Sequence, residues 1–270
     1  MISVMPFLLL FQPVCAINIS EFIQQGDQYM TIGKLHSIET FGAVDGPGIR
    51  TIFFLQGCPA RCLYCHNPDT WKVDEGDDIR LEEVLHTAKR SIPYYGKDGG
   101  VTFSGGEPLM QGEFLLAAVR LLNENGIGSV IDTSATYIDK YTEDIIRECE
   151  MLLMDVKHSD AQQFEYISGC SQDTLLRVIE LANKHNTPIW VRQVIVPGIN
   201  DTADNIKALA TFVREHMRNV YNVELLGYHV MALEKYEKLN MKYRLEGVDP
   251  MDRKRLAELS RLLQDEMKKE

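Results

Sequence analysis

Positive charge is scarce in this 270-residue chain: 28 Lys and Arg stand against 39 Asp and Glu, a net charge of −11. Such a surface lacks the basic field that nucleic acid or an anionic membrane demands, and neither is an expected partner. Long apolar runs are missing too. The longest, residues 5–11, is far below the ~20 residues that cross a bilayer. No Lys or Arg precedes Lys34, so the apolar start MISVMPFLLLFQPVCA lacks the basic region of a secretory signal. Residues 1–30 are therefore read as an N-terminal extension outside the fold, disordered or untranslated with Met30 as the start, and residues 31–270 as one domain. Low-complexity tracts, linkers and short repeats do not occur after Lys34. With 45% hydrophobic and 25% charged residues, the chain has a large core, which excludes wholesale disorder.

Cysteine is neither rare nor evenly spread. Of the six (Cys15, Cys58, Cys62, Cys65, Cys149 and Cys170), three fall within eight residues. Disulfide frameworks hold small secreted domains that lack a core, whereas clustered thiols in a reducing compartment hold metal. The cytoplasm is the expected setting. A structural zinc site takes four ligands, commonly as two pairs of thiols. Here there are three thiols and no second pair, and His66 directly after Cys65 is badly placed to join them on one ion. A [4Fe–4S] cluster normally takes four thiolates, so three leave one iron open to a further ligand. Cys149 and Cys170 have no partners at ligand spacing and read as structural.

Short apolar or β-branched runs alternate with longer helical patterns. Strands are expected at 51–55, 101–103, 129–131, 152–154, 189–196 and 222–226. Helices are expected at 79–89, 112–125, 142–150, 174–184 and 202–218, with a last amphipathic helix at 252–268. Asn125-Gly126 is a helix stop, Asp201 and Thr202 offer capping oxygens, and Asp249-Pro250 marks a turn. The alternation predicts βα units around a parallel sheet, an open partial (β/α) barrel, with a doubly wound sheet as the competing arrangement. Distinctive polar groups follow each strand: the cysteines, then Ser104-Gly105-Gly106-Glu107-Pro108, Asp132-Thr133-Ser134, Asp155-Val156-Lys157, Arg192 and Tyr228-His229. Parallel sheets gather ligand-binding groups at that end. Arg192 lies in an apolar strand and needs an anionic partner, either a ligand carboxylate or an internal Asp or Glu.

Cys58-x3-Cys62-x2-Cys65, with Tyr64 before the third cysteine, resembles the signature of the radical S-adenosylmethionine (SAM) superfamily. TFGAVDGPGIRTIFFLQGC and CLYCHNPDTW, followed in order by SGGEP, DTS, MDVK, VRQVIVPG and GYH, resemble the pyruvate formate-lyase activating enzymes across residues 34–265. The resemblance implies a partial (β/α)6 barrel with a C-terminal helix, in which Cys58, Cys62 and Cys65 hold a [4Fe–4S] cluster. It implies that SAM chelates the fourth iron and contacts Tyr64, Cys65, His66, Gly105, Gly106, Glu107, Asp155, Val156, Lys157, Arg192 and His229. It also implies a monovalent-cation site from Asp132, Thr133, Asp155 and the Leu153 carbonyl, with Ala135 standing where glycine is frequent. Asp45 and His66 match residues facing a peptide substrate, and GAVDGPGIR is expected at the barrel mouth. The implied activity is anaerobic: reductive cleavage of SAM and abstraction of a glycine Cα hydrogen from pyruvate formate-lyase, with reduced flavodoxin or ferredoxin as electron donor. The stretch from His66 to Glu148 holds no cysteine, which sets the chain apart from activases carrying inserted ferredoxin-like clusters. Other radical SAM enzymes of this length, including a ribonucleotide reductase activase, and a non-enzymatic iron–sulfur carrier are the alternatives.

Overall fold

Strands buried on both faces organise the chain, as the runs Gly100–Gly105 and Met151–Asp155 illustrate. The computed structural model describes residues 31–269, and the reading of residues 1–30 as an extension lies outside them. The strands are β1 (Ile32–Gly42), β2 (Arg50–Leu55), β3 (Asp77–Arg80), β4 (Gly100–Gly105), β5 (Ser129–Thr133), β6 (Met151–Asp155), β7 (Ile189–Ile195) and β8 (Val220–Gly227). They form one sheet in the order β3-β1-β2-β4-β5-β6-β7-β8. From β2 onward the neighbours are parallel and follow chain order without reversal. A doubly wound sheet reverses direction at a switch point. This one does not, so the arrangement is the open partial barrel, and among the described residues β8 does not pair with β3 to close it.

The helices are α1 (Leu81–Tyr95), α2 (Gly112–Glu124), α3 (Thr142–Glu148), α4 (Ala161–Ser168), α5 (Asp173–His185), α6 (Ala203–His216), α7 (Leu233–Lys238) and α8 (Arg253–Met267). Expected end signals appear as real caps. Gly126 takes φ +70° after α2. Thr202 accepts from the Asn205 backbone N–H at 3.2 Å and Asp252 from that of Arg255 at 2.8 Å. Asp201 instead accepts from Gly198 N in the turn before α6. The C-terminal α8 packs against α6 and β8.

Four elements were not expected. Strand β1 is antiparallel to β2 and largely solvent-facing, so its sequence IGKLHSIETFG carries little apolar signal. Strand β3 pairs with β1 from Ile32 to Leu35, which moves the start of the expected 79–89 helix to Leu81. The short helices α4 and α7 also lacked a readable period.

Candidate functional site

The loop after β2 is shaped by backbone bonds to three other segments. Gly57 takes φ +94° and donates to the Thr70 carbonyl at 2.7 Å, and Cys58 N donates to the Trp71 carbonyl at 3.2 Å. Arg61 N and Leu63 N donate to the carbonyls of Ser168 and Ile167 at the end of α4, at 2.7 and 2.9 Å. Tyr236 Oη donates to the Cys65 carbonyl at 3.2 Å. Helix α4 thus uses orphan C-terminal carbonyls to hold the cysteine loop. Cys58, Cys62 and Cys65 all line one cavity of about 410 Å³ at the strands' C-terminal ends.

Burial pushes all three thiols up, Cys65 to about 11. A bound metal group reverses that preference by coordinating the thiolate. Among the described residues no three His, Cys, Asp or Glu side chains converge on a single-ion position. A cubane offers a separate iron to each thiolate and needs no such convergence, so three free, half-buried thiols lining one cavity fit a [4Fe–4S] cluster.

Around the thiols, Tyr64, His66, Gly105, Gly106, Asp155, Lys157, Arg192 and His229 line the same cavity, as do Asp45 and Asp132. The phenol of Tyr64 is buried without a hydrogen-bond partner, and Lys157 Nζ lies 5.6 Å from its ring centroid. His66 stacks on His229, with centroids 3.9 Å apart and planes 17° from parallel. Its Nε2 lies 3.2 Å from the His229 carbonyl, which fixes the proton on Nε2 as donor. Burial and the neighbouring His229 lower His66 to about 4, so it is neutral at pH 7. His229 Nδ1 is buried and unpartnered.

Gly105 and Gly106 are needed for a reason the sequence reading did not give. A Cβ on Gly105 would strike the Leu55 backbone, and one on Gly106 the Gly57 carbonyl. The glycines let β4 close against the cysteine loop, where Gly106 N and Glu107 N donate to Leu55 O and Gly57 O.

Glu107 is fully buried and turns away from the cavity. Its Oε1 accepts from Thr133 Oγ1 at 2.6 Å and Leu109 N at 3.3 Å, and its Oε2 from Ser134 N and Oγ at 3.0 and 2.7 Å. Both oxygens tie the β4 loop to the β5 loop, so the expected contact of this carboxylate with SAM is not what the structure presents. Val156 and Leu153 lie in the core, and neither they nor Thr133 line the cavity.

The four expected cation ligands accordingly do not form a cage. Asp132 and Asp155 come together, but around Arg192: its Nη2 reaches Asp132 at 2.5 Å and its Nε reaches Asp155 at 2.9 Å. Ser104 Oγ and Lys157 Nζ occupy the remaining oxygens at 2.6 and 3.0 Å. Of the two partners considered for Arg192, the structure presents the internal carboxylates. Burial raises Asp132 above the ordinary range; it opposes ionisation of Asp155 as well, but Arg192 and Lys157 hold Asp155 down to about 2.

The GAVDGPGIR loop enters from the opposite end to that expected. Arg50 pairs with Gly100 at the start of the parallel strands, and the Asp45 carbonyl accepts from Thr102 Oγ1 at 2.7 Å. Asp45 still lines the cavity, and burial together with Asp132 raises it to about 6.

The sequence pattern of the radical SAM superfamily matches residues 52–213. The pyruvate formate-lyase-activating enzyme of Clostridium pasteurianum is 42% identical over 240 residues, covering 87% of this chain and 99% of that protein. That of Staphylococcus epidermidis is 37% identical, covering 86% and 95%. This chain belongs to the radical SAM superfamily, with the pyruvate formate-lyase-activating enzymes. As a radical SAM protein it uses a [4Fe–4S] cluster and SAM. Among solved structures, a domain of a pyruvate-formate lyase-activating enzyme from Bacteroides vulgatus superposes with a TM-score of 0.51 at 26% identity, covering 62% of this chain and 94% of that one. Streptococcus suis SuiB bound to its precursor peptide shares the fold, with a TM-score of 0.60 at 18% identity over 79% of this chain and 44% of that one.

Several residues that line this cavity had no role assigned to them from the sequence. Ser104, Ser134 and Trp71 line the cavity beside the motifs, and Phe54, Leu226 and Gly227 supply apolar wall. Ser104 and Ser134 stand inside quoted motifs, which was a signal. Leu226 and Gly227 look like ordinary strand residues.

Proposed function

We propose that this protein activates a pyruvate formate-lyase in the anaerobic cytoplasm by installing a glycyl radical, with Cys58, Cys62 and Cys65 as cluster ligands. The observation that carries the reading is the meeting of these three thiols with Gly105, Gly106, Lys157 and His229 in one cavity, in a chain 42% identical to an activating enzyme over nearly that enzyme's whole length. When bound, the cluster supplies the electron that cleaves SAM to methionine and a 5′-deoxyadenosyl radical, which removes a glycine Cα hydrogen.

The protein's own residues orient and shield. Backbone carbonyls of the Ser104–Gly106 turn accept from the SAM ammonium, while Glu107 holds that turn in shape from behind. Lys157 faces the SAM carboxylate, an ammonium already aligned by Asp155. Tyr64 offers a buried aromatic face and His229 an unpartnered ring nitrogen to the adenosine portion. The guanidinium of Arg192 holds Asp132 and Asp155 in place. Asp45 and neutral His66 face the peptide from two sides of the cavity. The open edge of the barrel admits a glycine-bearing loop, and proximity to one C–H bond is what the cavity contributes. Reduced flavodoxin or ferredoxin is the electron donor.

The test is anaerobic incubation of the reduced, reconstituted protein with SAM and pyruvate formate-lyase. Formation of 5′-deoxyadenosine together with a glycyl radical signal on the target is expected. Cleavage of SAM with no such signal, but activation of an anaerobic ribonucleotide reductase instead, would reassign the target.

A further inference from the structure

Cys58, Ala60 and Cys62 line the cavity, while Arg61 between them does not and is exposed to solvent. Its guanidinium donates to the carbonyls of Cys58 and Ala60, both at 2.7 Å, and covers the Trp71 indole at 4.6 Å from the ring centroid. Arg244, also exposed, donates to the Arg61 carbonyl at 2.8 Å. Both guanidiniums therefore bond to backbone carbonyls, and among the described residues no carboxylate lies within ion-pair reach of either. The nearby lysines differ, since Lys72 pairs with Glu75 and Lys235 with Asp69. On a chain of net charge −11, two fixed and uncompensated cations on the loop that carries the three thiols make a local positive spot. Val73, two residues beyond Trp71 and beside Gly57, adds an apolar side chain that is 47% exposed.

We propose that Arg61 and Arg244, with Val73 beside them, form the docking face for the electron donor, and that the donor is an acidic flavoprotein of the flavodoxin kind. The proposal rests on the reading of the three thiols as cluster ligands. Opposite charge steers the encounter and fixes its orientation, which is what two isolated cations on an acidic surface can do. The exposed apolar Val73 suits the methylated edge of a flavin ring, whereas a ferredoxin cluster lies beneath its own backbone. A donor seated there is separated from the ligand cysteines by the loop itself, because Arg61 adjoins Cys62 and holds the Cys58 carbonyl. One electron passes: the anionic flavin hydroquinone becomes the neutral semiquinone, the cluster is reduced by one electron, and no proton moves.

The test uses full-length protein reconstituted with iron and sulfide, and two readouts: calorimetric binding of oxidised, FMN-loaded flavodoxin, and the rate of cluster reduction by flavodoxin hydroquinone. Arg61→Glu and Arg244→Glu are each expected to weaken binding and slow reduction at least about tenfold at low ionic strength, with the difference shrinking at ~0.5 M salt. Reduction by photoreduced deazaflavin, a small donor that needs no docking face, is expected to keep its wild-type rate. Lys97→Glu, the same charge change at a side chain 91% exposed in the turn before β4, is expected to alter binding by less than about twofold. Arginine variants that bind flavodoxin as wild type does, or a Lys97→Glu loss equal to theirs, would overturn the proposal and leave the ligand assignment standing. If Arg61→Glu loads no cluster, Arg244→Glu decides, and unchanged binding there overturns it. Arginine-dependent binding of a ferredoxin, with none of flavodoxin, would overturn the choice of a flavoprotein. Wild-type protein that takes up no iron would sink the ligand assignment and the proposal together.

Discussion

Glu107 shows how far a motif residue's role depends on its surroundings. Within the string GGEP nothing distinguishes a ligand-facing carboxylate from a buried tether, because its partners Thr133 and Ser134 are far away in sequence. The same holds for Arg192, whose need for an anion was legible while the identity of Asp132 and Asp155 as that anion was not. A Glu107→Gln amide presents N–H groups to donors that now meet a carboxylate oxygen. Its stability is expected to fall by about 3 kcal/mol, a buried charged network with one member removed, read as a lower thermal midpoint of the apoprotein. The cysteines were legible throughout, because their spacing is local. Ala replacement of any one of Cys58, Cys62 or Cys65 is expected to abolish iron loading, whereas Cys149→Ala and Cys170→Ala retain it; iron and sulfide analysis reads both outcomes.

Asp45 carries the pH dependence at this scale. Its folded value of about 6 lies above the ordinary 3.8, so between those values the folded state holds a proton that the unfolded chain has released. Stability from this group is therefore present below about pH 4 and lost as pH rises through 6. Asp155 is held near 2 and stays ionised over that whole window. Relative to wild type, Asp45→Asn is expected to gain on the order of 2 kcal/mol between pH 4 and pH 7, measured by urea unfolding of the apoprotein at both pH values. A parallel loss in both proteins would show that Asp45 is not the titrating group.

At the scale of elements, what the sequence made visible was burial. The parallel strands β2, β4, β5, β6 and β7 are largely buried and, with the more exposed β8, each stood out over at least half its length, while β1 and β3 did not. An antiparallel edge strand with one wet face has half the apolar signal, and β3 has only four residues to show it. Helix ends announced by a capping side chain were found within a residue or two. Thr202→Ala removes such a cap at a residue that does not line the cavity and is expected to cost about 1 kcal/mol, with iron loading unchanged. Chemical denaturation alongside iron analysis checks both halves of that statement. The glycine pair Gly105-Gly106 behaves oppositely, because the space beside it is filled by the backbone of β2 and of the cysteine loop. Gly106→Ala is expected to lose cluster and fold together.

At the largest scale, the described residues build a sheet that curls in one direction and stops before closing. Its βα units were readable from the alternation of elements and favoured the curled sheet, but the strand order that separates it from a doubly wound one was not, because both begin from the same units. Pairing in unbroken chain order decides it. That order brings the ends of the parallel strands around a common cavity, which residues spread from Cys58 to His229 line together. The central claim is that the cluster held there is open at one iron and takes SAM as its remaining ligand. Electron paramagnetic resonance of the reduced protein, recorded before and after SAM is added, tests this most directly. The account predicts a cluster signal whose shape and g-values shift on addition of SAM. A signal that SAM leaves unchanged, or protein that carries zinc in place of iron, would contradict it.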